Sequence, residues 1–323
     1  MSNMSNSKNS RSRRISETEG MRLIEGGEFL MGSDDFYPEE KPVRRAHVGS
    51  YWIDEHPVTN QQFAAFVEAT GYRTLAETTP DVRDYPGMAE HMAQPGSGVF
   101  TPPDSPVPLS NPGVWWRYVF GASWRHPLGP DSGIEDILDH PVVQVSFEDA
   151  KAYAKWARKQ LPSEAEWEFA ARGGLDGKAY AWGDELAPEG QMMANYWQGQ
   201  FPWQNTCEDG FFRTSPVRSF PANGYGLYDM IGNVWEWTDA WFTTQTVEGD
   251  RPCCGPPRAR MGRKAESFDA CVPQLKIPRR VLKGGSHLCA ANYCQRYRPA
   301  ARYAQPIDSP TSHIGFRCIV RVD

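Results

Sequence analysis

The segment Asn223-Gly-Tyr-Gly-Leu-Tyr-Asp-Met-Ile-Gly-Asn-Val-Trp-Glu-Trp237 alternates glycine with aromatic and polar residues and is typical of the second half of the chain. Glycine interrupts helices and strands, whereas buried aromatic rings can hold an irregular chain in one shape. The full sequence of 323 residues carries the same combination, with 29 Gly, 27 Pro, 12 Trp, 13 Tyr and 15 Phe. We therefore expect a folded protein that is rich in turns and loops.

The overall composition excludes two classes of protein. Hydrophobic residues make up 40% of the chain, but no apolar run approaches the roughly 18 residues that cross a bilayer. The net charge is −6, so the chain as a whole has no electrostatic attraction for a phosphate backbone. The sequence therefore predicts neither a membrane span nor a nucleic-acid partner.

Capping residues and apolar spacing predict three helices. One begins near Thr59 and ends at Gly71. A second follows Ser146, and a third follows Ser163 and ends at Gly173. In each, a Ser or Thr is followed three residues later by Gln, Asp or Glu, which is the pattern of a capped helix start.

Outside the helices the sequence signals are weaker. Residues 21–32 hold two short apolar stretches around a glycine turn, which predicts a β-hairpin. Residues 73–139 combine Pro, Gly and Trp with little periodicity and are expected to form a long loop with embedded aromatic rings. No break in composition divides residues 21–323, so we predict one α+β domain preceded by a disordered tail over residues 1–20.

The cysteine count and the N-terminus bear on the compartment. The chain has seven cysteines, and an odd number leaves at least one outside any intramolecular disulfide. The twin arginine Arg13-Arg14 is followed by polar residues instead of an apolar stretch, so no export signal is recognisable. We therefore expect a cytoplasmic protein whose thiols are reduced.

Reactive side chains are densest in Gly284-Gly-Ser-His-Leu-Cys-Ala-Ala-Asn-Tyr-Cys-Gln-Arg-Tyr-Arg298. Cys289 and Cys294 are five residues apart, a spacing that lets two sulfurs converge on one soft ion or one disulfide. Zinc usually takes four ligands in short paired spacings, and the vicinal Cys253-Cys254 makes a poor second pair. Two thiolates alone suit copper(I), although both cysteines could equally be buried as small hydrophobic residues.

Oxygen donors form a second group of candidates. Asn195 and Asp209 flank a polar loop. Asp229, Asn233 and Glu236 lie in a glycine-bearing loop that must expose backbone carbonyls. Such oxygens on irregular backbone are the ligands that calcium takes. The alternative is that these side chains cap turns and carry solvated charge, and the spacing does not decide between the two.

The seven histidines form no metal-binding pair, because none lies three or four residues from another. They are His47, His56, His91, His126, His140, His287 and His313. The sequence also lacks a glycine-rich phosphate loop after a strand and a Gly-x-Ser-x-Gly motif. Nucleotide-dependent enzymes and serine hydrolases are therefore not supported.

Several segments taken together resemble a known family. They are Glu25-Gly-Gly-Glu-Phe-Leu-Met-Gly-Ser, Pro57-Val-Thr-Asn, His140-Pro-Val-Val-Gln-Val-Ser, Leu161-Pro-Ser-Glu-Ala-Glu-Trp-Glu-Phe-Ala-Ala-Arg-Gly-Gly, and the segment quoted first. In these, the chain resembles the formylglycine-generating enzymes, also called sulfatase-modifying factors, over residues 21–322. The resemblance implies a loop-rich α+β domain of the C-type-lectin-like superfamily. The same segments also occur in iron-dependent sulfoxide synthases, so they identify only the wider superfamily.

The cysteine-bearing segment narrows the resemblance. Together with the downstream Gly315-Phe-Arg-Cys, it places Cys289 and Cys294 where formylglycine-generating enzymes carry their own pair. The resemblance implies that both bind copper(I) and act in catalysis with Ser286, while Tyr293 and Arg296 bind the substrate peptide. The implied substrate is a cysteine in a Cys-x-Pro-x-Arg segment of an unfolded sulfatase. Copper(I), O2 as co-substrate and a thiol reductant would convert that cysteine to Cα-formylglycine.

The resemblance also implies two structural calcium sites. The first takes the side chains of Asn195 and Asp209 with the carbonyls of Tyr196 and Phe211. The second takes the side chains of Asp229 and Glu236 with the carbonyls of Gly232 and Val234. An ion that cross-links loops would support a fold with little regular structure.

Two positions depart from the family. Cys318 matches a cysteine that secreted eukaryotic relatives use in a disulfide, but its partner position here is Ala171, so that bridge cannot form. This change fits a bacterial-type member in a reducing cytoplasm. His313 stands where some relatives carry an asparagine that contacts the substrate, so it is a further candidate for substrate binding. The resemblance implies no role for Cys207, Cys253, Cys254 or Cys271.

Two alternatives stand against the oxidase. An iron-type sulfoxide synthase would need a histidine triad, usually on a separate helical domain, and the sequence has neither the length nor the spacing for one. A non-catalytic lectin-like binding module would be expected to lack Cys289, Cys294 or both. The retained pair favours the oxidase, and we expect a monomer whose partner is the sulfatase.

Overall fold

Three α-helices and eleven β-strands make up the regular structure of residues 18–244 and 262–322, the part of the chain that this computed structural model describes. The helices are α1 (Asn60–Thr70), α2 (Phe147–Trp156) and α3 (Glu164–Arg172). The strands are β1 (Met21–Ile24), β2 (Gly27–Met31), β3 (Arg44–Val48), β4 (Tyr51–Asp54), β5 (Gly96–Phe100), β6 (Trp116–Phe120), β7 (Trp235–Trp241), β8 (Arg279–Lys283), β9 (Arg302–Pro306), β10 (Ile314–Gly315) and β11 (Ile319–Arg321). Most of the predicted tail, together with Cys253 and Cys254, lies outside the described residues.

The three predicted helices are confirmed, and each begins as its capping residues indicate. At the start of α1 the Thr59 hydroxyl accepts a hydrogen bond from the Gln62 backbone N–H, and the Gln62 side chain accepts one from the Thr59 N–H. The same reciprocal bonds cap α2 and α3. Helix α1 ends at Gly71, whose φ of 67° lies in the left-handed region that glycine enters without steric cost.

The predicted hairpin over residues 21–32 is wrong, although both of its strands exist. β1 pairs with β4, and β2 pairs with β3, so the two strands do not pair with each other. Gly26, between the two strands, allows another part of the chain to pass close to its backbone and does not form a hairpin turn. A Cβ atom on Gly26 would lie 2.4 Å from the Val48 carbonyl oxygen, a distance that only glycine permits.

Two further sheets position the site. A four-stranded sheet has the order β10-β7-β8-β9, in which β10 and β7 are parallel and the other neighbours antiparallel. The antiparallel ribbon of β5 and β6 lies within residues 73–139, so this segment is not the continuous loop that its composition suggested. The remaining strands form the sheet β1-β4-β11 and the two-stranded sheet β2-β3. The structure confirms the predicted loop-rich α+β class. No helix within residues 18–244 and 262–322 is long and apolar enough to span a membrane.

Helix α3 occupies the centre of the fold, where it packs against β2, β3, β7 and β8. Every residue of α3 is buried, including Glu168, whose side chain is 1% exposed. The Glu168 carboxylate accepts hydrogen bonds from the Lys283 ammonium (2.9 Å), the Arg172 guanidinium (2.7 Å) and the Gly32 backbone N–H (2.7 Å). Burial by itself would raise the pKa of Glu168, but the positive charges of Lys283 and Arg172 lower it to about 2. This buried cluster ties α3 to the end of β8, from which the site emerges.

Candidate active site

The two candidate cysteines are brought together by consecutive turns after β8. Gly284 and Gly285 follow the strand with φ values of 94° and 73°, and a Cβ atom on Gly285 would lie 2.7 Å from the Arg296 carbonyl oxygen. The chain then turns twice, with hydrogen bonds from the Cys289 N–H to the Ser286 carbonyl and from the Tyr293 N–H to the Ala290 carbonyl. The glycine pair therefore lets the end of the segment fold back over its start.

The Sγ atoms of Cys289 and Cys294 lie 3.2 Å apart and share a hydrogen bond. This distance exceeds the roughly 2.05 Å of a disulfide bond, and both cysteines are free thiols. Burial raises the pKa of Cys289, which is 1% exposed. The hydrogen bond with Cys289 lowers the pKa of Cys294, and the nearby Arg296 charge adds to this effect. Cys294 is therefore the sulfur that more readily becomes a thiolate.

Arg296 is held by an N-terminal segment that the sequence analysis did not single out. Its guanidinium donates to the Glu39 carboxylate at 2.5 Å and lies 3.8 Å from the centre of the Tyr37 ring. The Tyr37 hydroxyl also accepts a hydrogen bond from the Gln295 backbone N–H. These contacts fix both the backbone and the side chain of the residues that follow Cys294.

A second ion pair anchors the same N-terminal segment. Arg298 and Glu40 are fully buried and form a two-pronged pair at 2.5 and 2.8 Å, and the Arg298 guanidinium lies 3.5 Å from the centre of the Phe36 ring. The partners are more than 250 positions apart in sequence, so no local pattern could have revealed the pairing. The only sequence signal was the acidic pair after Pro38.

Ser286 and His287 are buried and belong to the turn that carries Cys289. The Ser286 hydroxyl is buried and accepts a hydrogen bond from the Leu288 N–H at 3.2 Å, so it stabilises the first turn. The His287 Nδ1 atom bonds the Asn233 carbonyl at 2.8 Å, while its buried Nε2 has no hydrogen-bond partner among the described residues. Burial lowers the pKa of His287 to about 4, so its imidazole is neutral at pH 7.

Two of the three predicted substrate-binding side chains, those of Tyr293 and His313, lie along a series of aromatic rings. Tyr293 is 38% exposed and stacks on Phe201, with ring centres 4.6 Å apart. Phe201 in turn stacks on Phe100, and Phe100 packs edge-on against Trp116. The Trp116 ring packs against the His313 ring, with ring centres 4.8 Å apart. Tyr293 and His313 are thus two ends of one aromatic series that starts beside the cysteine pair.

His313 is held in place and uncharged. Its Nδ1 atom shares a hydrogen bond with the Thr311 hydroxyl at 2.9 Å, and its backbone carbonyl accepts from the Trp235 N–H. Burial, with a smaller contribution from His287, lowers the pKa of His313 to about 3. It therefore offers an apolar ring face and a neutral nitrogen to a ligand at pH 7.

In the first predicted calcium site, Asp209 contacts Tyr196 and Phe211 through their backbone N–H groups and not through the carbonyls implied as ligands. The Asp209 carboxylate accepts hydrogen bonds from the backbone N–H groups of Tyr196 (3.1 Å) and Phe211 (2.9 Å) and from the Gln198 amide (2.9 Å). Asn195 uses its amide N–H to bond the Arg213 carbonyl, which leaves its amide oxygen available. Burial raises the pKa of Asp209, as expected for a carboxylate short of positive charge. These oxygens suit a hard cation.

In the second predicted calcium group, an arginine already pairs with one of the two acidic side chains. Asp229 is half-buried and accepts hydrogen bonds from the Arg218 N–H and the Asn233 amide, and desolvation raises its pKa to about 6. Glu236 instead forms a buried ion pair with Arg317 at 2.8 Å. The same guanidinium donates to the Asp229 carbonyl at 3.1 Å. The charge of Glu236 is thus already compensated, whereas that of Asp229 is the one that a cation would stabilise.

Metal-binding capacity at the cysteine pair rests on two donors. Among residues 18–244 and 262–322, no three His, Cys, Asp or Glu side chains converge on a single metal position. A zinc site with three or four protein ligands therefore has no support in this part of the chain. Two adjacent thiols in a buried pocket match the preference of copper(I) for few, soft ligands.

Comparisons with known proteins identify relatives of this chain. The family model described as "Sulfatase-modifying factor enzyme 1-like domain" matches residues 6–322. A formylglycine-generating enzyme of Mycobacterium tuberculosis is 52% identical over 298 residues, which cover 92% of this chain and 96% of that protein. A protein of Bos taurus named inactive C-alpha-formylglycine-generating enzyme 2 is 38% identical over 94% of this chain and 88% of its own length. The solved structure of PvdO from Pseudomonas aeruginosa shares the fold, with a TM-score of 0.61, 22% identity and 94% coverage of both chains.

Proposed function

The chain belongs to the sulfatase-modifying factor family of formylglycine-generating enzymes, and from that membership we propose that it oxidises a sulfatase cysteine to Cα-formylglycine with copper(I) and O2. The observation that carries the proposal is the pair of free thiols at Cys289 and Cys294, 3.2 Å apart at one end of the aromatic series that runs from Tyr293 to His313. We take this series as the wall of the substrate cleft. The target would be the cysteine of a Cys-x-Pro-x-Arg segment in an unfolded sulfatase.

The residues around the pair suit the proposed chemistry. Cys289 and Cys294 would hold the copper ion, which, when bound, supplies the centre at which dioxygen is reduced. Cys294 is the readier thiolate because of its hydrogen bond to Cys289 and the nearby Arg296. Tyr293 and the ring of His313 line the approach and would orient the substrate peptide.

The overall reaction balances with one dioxygen and one external reductant. The substrate –CH2–SH group loses a hydrogen from its β-carbon and its thiol hydrogen to give a thioaldehyde. Water hydrolyses that thioaldehyde to the aldehyde and hydrogen sulfide. Dioxygen takes two electrons from the substrate and two from the thiol reductant, and both of its oxygen atoms leave as water.

Mass spectrometry of a synthetic peptide tests the proposal. A peptide that contains Cys-x-Pro-x-Arg is incubated in air with copper-loaded protein and a thiol reductant. The expected product has lost its thiol and gained an aldehyde that reacts with a hydrazine probe. A peptide with Ser in place of the target Cys is the control and should not change. An unmodified Cys peptide, with copper bound to the protein, would overturn the proposal.

The Glu39→Gln substitution tests the role of the N-terminal segment. Without the charged partner at 2.5 Å, the Arg296 guanidinium is expected to lose its fixed orientation beside the cleft. Positioning effects of this kind lower kcat/KM by about tenfold or more, so we expect at least that loss. The matched control is Glu28→Gln, which breaks an exposed pair with Arg45 at 3.8 Å and should leave kcat/KM unchanged. Equal kinetics for the two variants would contradict the positioning role.

The remaining parts of the proposal are calcium binding, a monomeric state and a cytoplasmic location. Calcium would stabilise the loops that carry Asp209 and Asp229, two carboxylates whose pKa values are raised by desolvation and whose charge a cation would favour. The protein would act as a monomer in the cytoplasm. Dialysis against a calcium chelator should then lower the thermal midpoint, and an unchanged midpoint would remove calcium from the account.

A second candidate function is a binding module without catalysis. The observation in its favour is the 38% identity to a relative that is named inactive. Thiol titration separates the two candidates. Two thiols that react with a reagent and are protected by copper(I) favour the oxidase, whereas an oxidised, unreactive pair favours the module.

A further inference from the structure

An exposed aromatic face continues outward from the candidate active site along the β5–β6 ribbon. Side chains two residues apart lie on the same face of a strand, so Trp116, Tyr118 and Phe120 share one face of β6. We call these three residues the aromatic ribbon. Trp116 contacts His313 in the cleft, while Tyr118 and Phe120 are 48% and 38% exposed. The ribbon therefore runs from the cleft to the surface.

Glycines opposite the ribbon leave its rings uncovered. In the antiparallel register Gly98 faces Tyr118 and Gly96 faces Phe120, so β5 contributes no side chain beside either ring. Side chains of this chain approach both glycines closely: a Cβ atom on Gly96 would lie 3.0 Å from the Tyr118 ring, and one on Gly98 would lie 3.1 Å from Thr311 Cγ2. On its other edge Gly98 bridges to Thr311, two residues before His313. The aromatic ribbon and Thr311 thus lie on opposite sides of β5.

The exposed rings are held in fixed positions. The Tyr118 hydroxyl donates to the Gln94 carbonyl at 3.0 Å, and the Tyr118 and Phe120 rings pack edge-on with centres 5.9 Å apart. Large, rigid, exposed aromatic side chains are the residues that most often dominate binding at protein interfaces. Exposing their apolar surface to water costs free energy, and a partner that covers the rings removes this cost.

We propose that the aromatic ribbon binds apolar side chains of the sulfatase polypeptide that flank the target cysteine motif. This inference rests on the proposed function, because it takes the occupant of the cleft to be an extended peptide. A peptide that lies at His313 and leaves the cleft along β6 passes Trp116, Tyr118 and Phe120 in order. At about 3.3 Å per extended residue, the ribbon accommodates roughly four or five residues.

The chemistry of the substrate matches this face. An unfolded sulfatase exposes apolar side chains that its folded form buries. Aromatic rings with neighbouring glycines bind such side chains without reading a particular sequence. The ribbon would therefore add affinity for unfolded protein substrates over short peptides, while the cleft itself recognises the motif.

Equilibrium binding of labelled peptides tests this inference directly. Three fluorescein-labelled peptides carry the motif with Ser in place of the target Cys. One has four apolar residues before the motif, one has four after it, and one has serines on both sides. Fluorescence anisotropy with the full chain should give a dissociation constant about tenfold lower for one apolar peptide than for the serine peptide. Equal constants for all three peptides would overturn the inference.

Substitutions test whether the preference for apolar flanks depends on the aromatic ribbon. In the double variant Tyr118→Ser/Phe120→Ser the tenfold preference should disappear, and in Phe120→Ser alone it should shrink. Leu23→Ser, which alters an exposed apolar side chain in the separate β1-β4-β11 sheet, should retain it. The thermal midpoint of each variant verifies its fold. A preference that persists in a folded double variant would also overturn the inference.

A parallel turnover assay with a short Cys-containing peptide separates this inference from the proposed function. If the peptide is oxidised but no flank is preferred, the ribbon inference is wrong and the proposed oxidase function stands. If the apolar flank is preferred, the double variant loses that preference and no peptide is oxidised, the proposed oxidation is wrong and the ribbon remains a peptide-binding surface.

Discussion

Replacing Cys294 with serine should abolish aldehyde formation and weaken copper(I) binding while the fold is retained. A hydroxyl is a hard, poor ligand for a soft ion, and the partner sulfur of Cys289 would be left alone at the site. Loss of an outer-shell partner typically costs 10–100-fold in metal affinity, so loss of a direct ligand is expected to cost at least about a hundredfold. Competition with a coloured copper(I) chelator measures the affinity, and mass spectrometry measures the aldehyde.

The matched control for this prediction is another cysteine. Cys271 is a free, exposed thiol outside the cysteine pair, so Cys271→Ser should keep both copper affinity and activity. Near-identical circular dichroism spectra of the two variants would exclude unfolding as the cause. Full aldehyde formation by Cys294→Ser would remove the cysteine pair from the mechanism.

The Glu168→Gln substitution should destabilise the protein by about 3–5 kcal/mol, the usual result of breaking a buried ion pair. Lys283 and Arg172 are 0% and 3% exposed, and both lose the carboxylate that compensates their charge. Glutamine preserves the size of the side chain, so the loss reflects charge and not a cavity. Denaturant unfolding followed by tryptophan fluorescence gives the free energy of unfolding.

Two comparisons make the Glu168 prediction specific. Glu148→Gln removes an exposed carboxylate 3.9 Å from Lys151 and should change stability by less than about 1 kcal/mol. The double variant Glu168→Gln/Lys283→Met removes one of the two uncompensated charges and should regain part of the loss. A single Glu168 variant as stable as the wild type would show that the cluster contributes little to the fold.

The same carboxylate sets an acid limit on stability. Its pKa of about 2 in the fold lies below the ordinary value of 4.5, so the folded protein holds this proton less tightly than the unfolded chain. The stabilisation is therefore complete above about pH 4.5 and is lost as the pH falls towards 2. Unfolding curves at several pH values should show a steeper acid loss in the wild type than in Glu168→Gln. Parallel acid profiles would contradict this assignment.

Local features of the fold were predictable because the sequence encodes them within a few residues. Thr59, Ser146 and Ser163 cap their helices through bonds to residues three positions later, and Gly71 ends the first helix through its own conformation. Pairing of strands is not local in the same way. The strands on either side of Gly26 were recognised correctly, yet their partners lie beyond the next turn, so the predicted hairpin was wrong.

In the candidate site, too, local features were predictable from the sequence and long-range contacts were not. The five-residue spacing of Cys289 and Cys294 correctly indicated that their sulfurs could converge, because only two turns separate them. The segment of Tyr37 and Glu39 that holds Arg296 could not be found, since the contact spans more than 250 positions. The aromatic ribbon was missed for a different reason: the glycines of its partner strand β5 remove the alternating pattern there, so the pairing of the two strands could not be recognised.

A copper(I) titration followed by aldehyde formation tests the central claim most directly. Protein freed of metal by a chelator receives increasing copper(I) under a thiol reductant, and the initial rate of peptide oxidation in air is measured at each ratio. If the Cys289–Cys294 pair holds the one copper ion that the reaction needs, the rate rises from zero and stops rising at one copper per chain. Full activity of the metal-free protein, or a rate that never responds to copper, would contradict the account.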